Sequence, residues 1–326
     1  MRAAWYDRNG PAEEVLQFGE QPTPTPGPGE VRIRLAFSGV NPSDTKSRAG
    51  SRPVLEGIVI PHSDGAGVID SVGAGVAATR VGERVWTWNA QYKRPHGTAA
   101  EYVVLPAEQA VPLPEGTSFE VGACLGIPGL TAHHAVELAE LGPGQTVLVI
   151  GGASAVSFYA AQIARARGAR VITTVGSQEK AAHLHQAGFP ETILYKQEST
   201  AQRALSLTDG AGVNAIIDMD LSSSYSLVDD GVLATHGRYV CFGSNTRGPV
   251  PIDYAVWLFR SLSLRFFLVY DLTPAQRTNA VNGLHALLRE GKLQHNIGAV
   301  FPLQQLIDAH HAVEQGILGN VVIDCS

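Results

Sequence analysis

Two stretches carry residue types able to hold a phosphate-bearing cofactor. Residues 151–157 read Gly-Gly-Ala-Ser-Ala-Val-Ser and follow directly on the apolar run Thr-Val-Leu-Val-Ile at 146–150. A tight turn after a buried strand exposes backbone N–H groups, and the helix behind it adds partial positive charge, so a pyrophosphate can settle there. Glycines normally permit the close approach. Against the spacing Gly-x-Gly-x-x-Gly, this turn presents Gly152, Ser154 and Ser157, with serine at two of the three positions. Serine adds a Cβ that crowds the approach, and a hydroxyl that can donate to a phosphate or cap the helix. The expectation is that Ser154, Ala155, Val156 and Ser157 bind the cofactor, with the backbone of Ala155–Ser157 facing the phosphates and micromolar or weaker affinity. A buried strand–helix–strand unit with small residues for packing would show the same letters.

The second stretch is Val175-Gly176-Ser177-Gln178-Glu179-Lys180. A site for NAD places a carboxylate near the end of this strand for the ribose hydroxyls. Residues 175–178 offer none, whereas Ser177 and Lys180 suit a 2′-phosphate, so NADPH is the expected cofactor. Ser177 also reads as a helix cap, and Glu179 as solvent-facing. Phe242-Gly243-Ser244 closes a later strand of the same kind, at the end where ligands gather in such folds.

Outside this region, Asn41-Pro42-Ser43-Asp44-Thr45-Lys46 gathers polar groups in one turn. Asn41 suits a hydrogen bond to a nicotinamide or a substrate oxygen, and Lys46 can polarise a carbonyl. Asn-Pro and Ser-x-Asp are equally turn formers, and a lone lysine is more often solvated. The eleven histidines show no metal spacing; His133-His134 and His310-His311 are adjacent pairs that point apart on a helix. They read as surface or helix-packing residues, and no metal site is expected.

Elements that position these groups follow from periodicity. After an opening hairpin over residues 1–20 and a proline-rich connector at 21–29, Val31, Ile33, Leu35 and Phe37 alternate as a half-buried strand. Short strands at 58–60, 67–72, 84–88 and 97–104, separated by glycines, indicate a β-rich, barrel-like domain. From 118 to about 260, strands at 146–150, 171–175, 193–194, 213–218 and 238–242 alternate with helical patterns, the doubly wound arrangement. A strand at 264–269, helices at 274–291 and 303–314, and a strand at 320–323 close the chain.

The chain has 326 residues, 44% hydrophobic and 17% charged, with a net charge of −6 and a pI near 6.0. That acidic balance argues against nucleic acid or an anionic membrane as partner. No apolar run reaches transmembrane length, and the opening residues do not read as a signal peptide. Three widely spaced cysteines, Cys124, Cys241 and Cys325, suggest reduced thiols and a cytoplasmic protein.

The order and spacing of these pieces resemble the zinc-free quinone oxidoreductase branch of the medium-chain dehydrogenase/reductase family. The likeness runs over the whole chain: Gly39-Val40-Asn41-Pro42-Ser43-Asp44, Pro61-His62-Ser63-Asp64-Gly65-Ala66-Gly67-Val68, Val81-Gly82-Glu83-Arg84-Val85-Trp86, Gly97-Thr98-Ala99-Ala100-Glu101-Tyr102, Gly126-Ile127-Pro128-Gly129-Leu130-Thr131-Ala132, the unit at 146–175, Gly237-Arg238 with Phe242-Gly243-Ser244, and Gly319-Asn320-Val321-Val322. The resemblance implies an α/β fold: a Rossmann doubly wound parallel sheet (123–261) inserted into a GroES-like β-rich substrate domain (1–122 and 262–326). Nicotinamide and substrate would meet in the cleft between them. It also implies that Thr131 lies against the nicotinamide, that Tyr195 joins Ser177 and Lys180, and that Asn320 stands where many relatives carry lysine. Phe267 and Val269 would wall the cleft or lie at a subunit contact. Lys46 replaces a frequent tyrosine. Zinc-dependent cousins carry cysteine at Asn41, histidine at Ser63 and a four-cysteine lobe that three scattered cysteines cannot supply. The implied activity is an NADPH-dependent, metal-free reduction of a quinone by a homodimer. An enone reductase, with Lys46 or Tyr92 as proton donor, and an NADPH-binding sensor with little catalysis are the alternatives.

Overall fold

The computed structural model describes residues 1–54, 57–246 and 248–326. The chain forms two compact units, Gly129–Gln294 and, from both chain ends, Met1–Pro128 with His295–Ser326. The inserted unit therefore runs further than the boundary at 261. Ser263–Phe266 pairs in parallel with Leu233–Cys241, which makes it a strand of the inner sheet and not of the outer domain. At the other boundary, helix Leu130–Ala139 opens the inner unit, so the crossing falls after Pro128, not at 122.

In the inner unit six parallel strands run in the order Thr192–Leu194, Arg170–Val175, Thr146–Val149, Val213–Asp218, Leu233–Cys241, Ser263–Phe266. Val147, Leu148, Val149, Ala215, Ile216 and Ile217 are buried on both faces. Continuous apolar runs of this kind belong in a sheet covered by helices on either side. The order reverses between Thr146–Val149 and Val213–Asp218, which opens a crevice at their carboxyl ends, the usual ligand position in such sheets.

The outer unit holds a seven-stranded sheet. Its long strand Glu30–Val40 pairs antiparallel with Asp64–Val72, with Tyr102–Pro106 and with the C-terminal strand Asn320–Asp324. Val31, Ile33 and Leu35 face the core together with Ile69, Val103, Leu105, Val321 and Ile323. Arg2–Trp5 and Gln17–Glu20 form the expected opening hairpin, with a short helix Ala12–Val15 between them. The expected strand at 97–104 begins only at Tyr102. Gly97 lies against the carbonyls of Ile60, Pro61 and His62, where a Cβ would come within 2.2 Å of the His62 oxygen. That packing holds residues 97–100 in a bend. Asn320–Asp324 runs parallel to Ile297–Pro302, and helix Leu306–Glu314 makes the crossover.

Candidate active site

The phosphate turn is built by a left-handed glycine at one residue and close packing at the next. Gly151 takes φ +65°, and a Cβ on Gly152 would lie 2.7 Å from Thr173 Cβ. Gly151 N donates to Thr174 Oγ1 at 3.0 Å and Gly152 N to Thr174 O at 2.9 Å, fixing the turn on the neighbouring strand. Thr174 was not singled out in the sequence, because its role depends on which strand lies beside the turn. Ser154 then adopts an extended φ of −77°, so serine costs no backbone strain there.

The two serines differ. Ser157 is fully buried, and its Oγ donates to Ile150 O at 2.8 Å, stapling the helix start to the strand end. Ser154 precedes helix Ala155–Ala166 without capping it, and its buried Oγ has no protein partner. In the first helical turn the N–H groups of Ala155, Val156 and Ser157 have no carbonyl one turn ahead to bond. A buried hydroxyl without a partner and three unpaired N–H groups at a positive helix end fit a pyrophosphate. Residues present here therefore suit a dinucleotide.

At the end of Arg170–Val175, Ser177 Oγ accepts from Lys180 N at 3.3 Å and caps helix Gln178–Gln186. A Cβ on Gly176 would sit 2.7 Å from the Tyr195 hydroxyl and 3.4 Å from Lys196 Cε. Tyr195, Lys196 and Ser177 thus gather at the strand end beside Gly176, with Lys180 one turn into the helix. Lys196 was missed, its only signal being its place beside Tyr195. Glu179 is exposed.

The loop after Leu233–Cys241 is held from below. Asp218, buried, accepts from Tyr239 Oη at 2.7 Å, Ser224 Oγ at 2.6 Å and Asp220 N at 2.9 Å. Asp220 in turn accepts from Asn245 N and Nδ2 at 3.2 and 3.0 Å. Burial alone would raise the Asp220 pKa, but hydrogen bonds from Ser222 and Asn245 hold it below the ordinary carboxylate value. Burial pushes the Cys241 thiol and the Tyr239 phenol up. Gly243 backs onto Met219, whose oxygen a Cβ would meet at 2.5 Å. Phe242 lies 6.2 Å from Phe267, and Phe267 meets His134 edge-on at 4.8 Å. Thr131, one turn before His134, is buried with its Oγ1 unpartnered. Val269 is buried, and its carbonyl accepts from Arg277 Nη2 at 3.1 Å. His133 packs against Gly283, the helix-packing role expected of it.

In the outer unit, Asn41 precedes helix Pro42–Lys46. Its backbone N donates to Asp44 Oδ2 at 2.8 Å, and its Nδ2 to Asp64 Oδ2 at 2.8 Å. Asp64 also accepts from Ile127 N at 2.9 Å through both oxygens. Burial pushes Asp44 up to about 7 and Asp64 well above the ordinary value. Lys46 is exposed at the helix end. Asn320 Nδ2 donates to Asn296 O at 3.1 Å, which ties its side chain to the backbone of its own sheet. The structure thus spends Asp44 on the turn and Asn320 on a strand end. Tyr92, the alternative donor, carries the cations of Arg52 and Lys93 over its ring at 5.3 and 5.0 Å.

A rat (Rattus norvegicus) quinone oxidoreductase is 31% identical over 297 residues, 89% of this chain and 88% of its own. The chain belongs to the quinone oxidoreductase branch of the medium-chain dehydrogenase/reductase family. Two family models match it: the alcohol dehydrogenase GroES-like domain over residues 27–115 and the zinc-binding dehydrogenase over 155–286. An NAD-dependent alcohol dehydrogenase structure superposes with a TM-score of 0.91 at 31% identity, covering 100% of both chains. The Escherichia coli quinone oxidoreductase, solved with NADPH, gives 0.87 at 26%, covering 99% of this chain and 100% of that one. This quinone oxidoreductase branch is thus one of oxidoreductase enzymes. Zinc does not suit the residues here. Asn41 spends its amide on Asp64, Ser63 offers only a hydroxyl, and no group of three His, Cys, Asp or Glu side chains among the described residues could hold a metal ion.

Proposed function

We propose that this oxidoreductase uses NADPH, without metal, to reduce a quinone or a similarly activated enone. The observation that carries the reading is the end of Arg170–Val175, where Ser177, Lys180, Tyr195 and Lys196 gather and residues 176–178 include no carboxylate. Such a corner favours the extra phosphate of NADPH over a bare ribose. Bound NADPH supplies the hydride; the chain's part is to bind and orient it. Ser154 Oγ and the first-turn N–H groups take the pyrophosphate. Phe242, Phe267 and His134 form an apolar surface beside Thr131, whose free hydroxyl suits a carboxamide. Asn41, locked by Asp64, would present its remaining amide capacity to a substrate oxygen. Quinone reduction needs no dedicated acid, because the reduced oxygen takes its proton from water. The test is calorimetric titration with NADPH and NADH, followed by assays of quinone and enone reduction. Binding of NADPH without turnover of either acceptor would favour a sensor; preference for NADH would refute the cofactor assignment.

The reading includes a cytoplasmic homodimer. Its support is the outer edge of the inner sheet, where Phe259, Tyr254, Leu258 and Phe266 are 84%, 73%, 62% and 62% exposed around the last strand, Ser263–Phe266. A sheet edge flanked by large apolar side chains invites a second copy. The free, buried state of the three cysteines supports a reducing compartment.

A further inference from the structure

Two histidines in the outer unit face each other where no solvent reaches. His62 Nε2 lies 3.0 Å from His310 Nε2, with ring centroids 5.2 Å apart and ring planes 25° from parallel, so the two rings meet nitrogen to nitrogen. His62 Nδ1 is 2.9 Å from Ser38 Oγ, which is 2.8 Å from Thr98 Oγ1. Thr98 Oγ1 ends the series 2.6 Å from the carbonyl oxygen of Asp64. All four side chains are fully buried.

The direction of every bond is fixed by that last carbonyl. A carbonyl oxygen only accepts, so Thr98 must donate to it. A hydroxyl has one hydrogen, so Thr98 accepts from Ser38, and Ser38 accepts from His62 Nδ1–H. His62 Nε2 is then a bare lone pair if the ring is neutral, and His310 Nε2–H must donate to it. His310 Nδ1 is left without a hydrogen, and Nδ1 is the His310 atom with no partner. Neutrality follows from the surroundings: burial and the Arg48 charge oppose a cation at His310, and burial pushes His62 down to about 3.

We infer that His62 and His310 form a one-way donor chain that positions Asn41 through Asp64, with His62 locked as the Nδ1–H tautomer and His310 as the Nε2–H tautomer. The chain grips the peptide oxygen of Asp64, and the Asp64 carboxylate grips the Asn41 amide. His62 accepts a left-handed φ of 76° to take part, an uncommon conformation for a residue with a Cβ. This makes His62, His310, Ser38 and Thr98 positioning residues; none of them is placed against substrate. The kinetic part of the inference rests on the function proposed above.

The decisive measurement is a two-dimensional spectrum of the full-length protein with 15N-labelled imidazoles at neutral pH, assigned with His62→Gln and His310→Gln. Expected are one protonated nitrogen per ring, Nδ1 in His62 and Nε2 in His310. An Nε2–H tautomer at His62, or a doubly protonated ring at either residue, overturns the chain. Thr98→Val removes the hydroxyl at nearly constant shape, and Thr98→Ser restores it. Thr98→Val should shift the side-chain amide resonance of Asn41 and lower kcat for a quinone by roughly tenfold to a hundredfold, with the KM for NADPH little changed. Thr98→Ser should recover both. An unmoved Asn41 amide in Thr98→Val overturns the positioning role, even if no quinone is turned over. Should that variant fail to fold, the wild-type tautomers still decide. Absence of quinone turnover in the wild type, with the expected tautomers, would count against the proposed function alone.

Discussion

Ser157 shows how a residue can be recognised without its task being visible. Its place in the phosphate turn was readable from spacing, and a hydroxyl there suggested a phosphate contact. In the fold the hydroxyl donates to Ile150 O and so holds the helix start to the strand end. Reverting it to glycine would therefore loosen the site. Ser157→Ala should cost about 1 kcal/mol in denaturant unfolding of the inner unit, the usual worth of one buried hydrogen bond. Ser154→Ala should leave stability nearly unchanged, because its Oγ bonds nothing in the protein, and should weaken NADPH by several-fold in calorimetry. Lys180 belongs to the same scale. A charge-assisted contact to a 2′-phosphate is worth roughly 1.5–3 kcal/mol, reduced by partial exposure, so Lys180→Ala should weaken NADPH about tenfold. NADH affinity should hardly move. Equal losses for both cofactors would show that Lys180 does not read the phosphate. Lys196 and Thr174 escaped the sequence because neither belongs to a motif; only strand neighbours bring them in.

Among elements, the short helix Pro42–Lys46 was legible from Asn41-Pro42, but the charge state of its cap was not. Asp44 is buried, and although the Asn41 hydrogen bond and the Arg52 charge favour its ionised form, burial outweighs them and carries it up to about 7. An acid held above its unfolded pKa binds its proton more tightly when folded. The stability it confers is complete below about pH 4 and is lost as pH rises through about 7. Asp64, raised for the same reason, acts in the same direction. Followed in unfolding titrations from pH 4 to 8, the stability of wild type relative to Asp44→Asn should fall as pH rises, by an amount on the order of 1 kcal/mol or more. An unchanged slope would mean that Asp44 is ionised throughout. Strands of the inner sheet were legible because their apolar runs carry their own evidence. The bend at 97–100 was not, since its cause is the carbonyls of 60–62, far away in sequence.

For the whole molecule, alternation of strands and helices sufficed to find two kinds of domain. It did not find the second crossing, because Ser263–Phe266 looks the same as a strand of either sheet until its partner is known. The edge it forms bears on assembly. Sedimentation should give a dimer, and Phe259→Asp together with Phe266→Asp should give a folded monomer; a monomeric wild type would refute the proposed contact. Metal dependence is also a property of the whole enzyme. Exhaustive chelation should leave activity intact, whereas stoichiometric zinc whose removal abolishes turnover would contradict the assignment.

The C-terminal strand Asn320–Asp324 is hydrogen-bonded to Glu30–Val40, near the other end of the chain. On the ribosome, the first 128 residues emerge without the strand that completes their sheet. Gly129–Gln294 is contiguous, so all its own strand pairs can form while Val31, Ile33 and Leu35 still await Val321 and Ile323. The unit begun first is thus the one completed last, and the unpaired edge of Glu30–Val40 is where a nascent chain would need a chaperone.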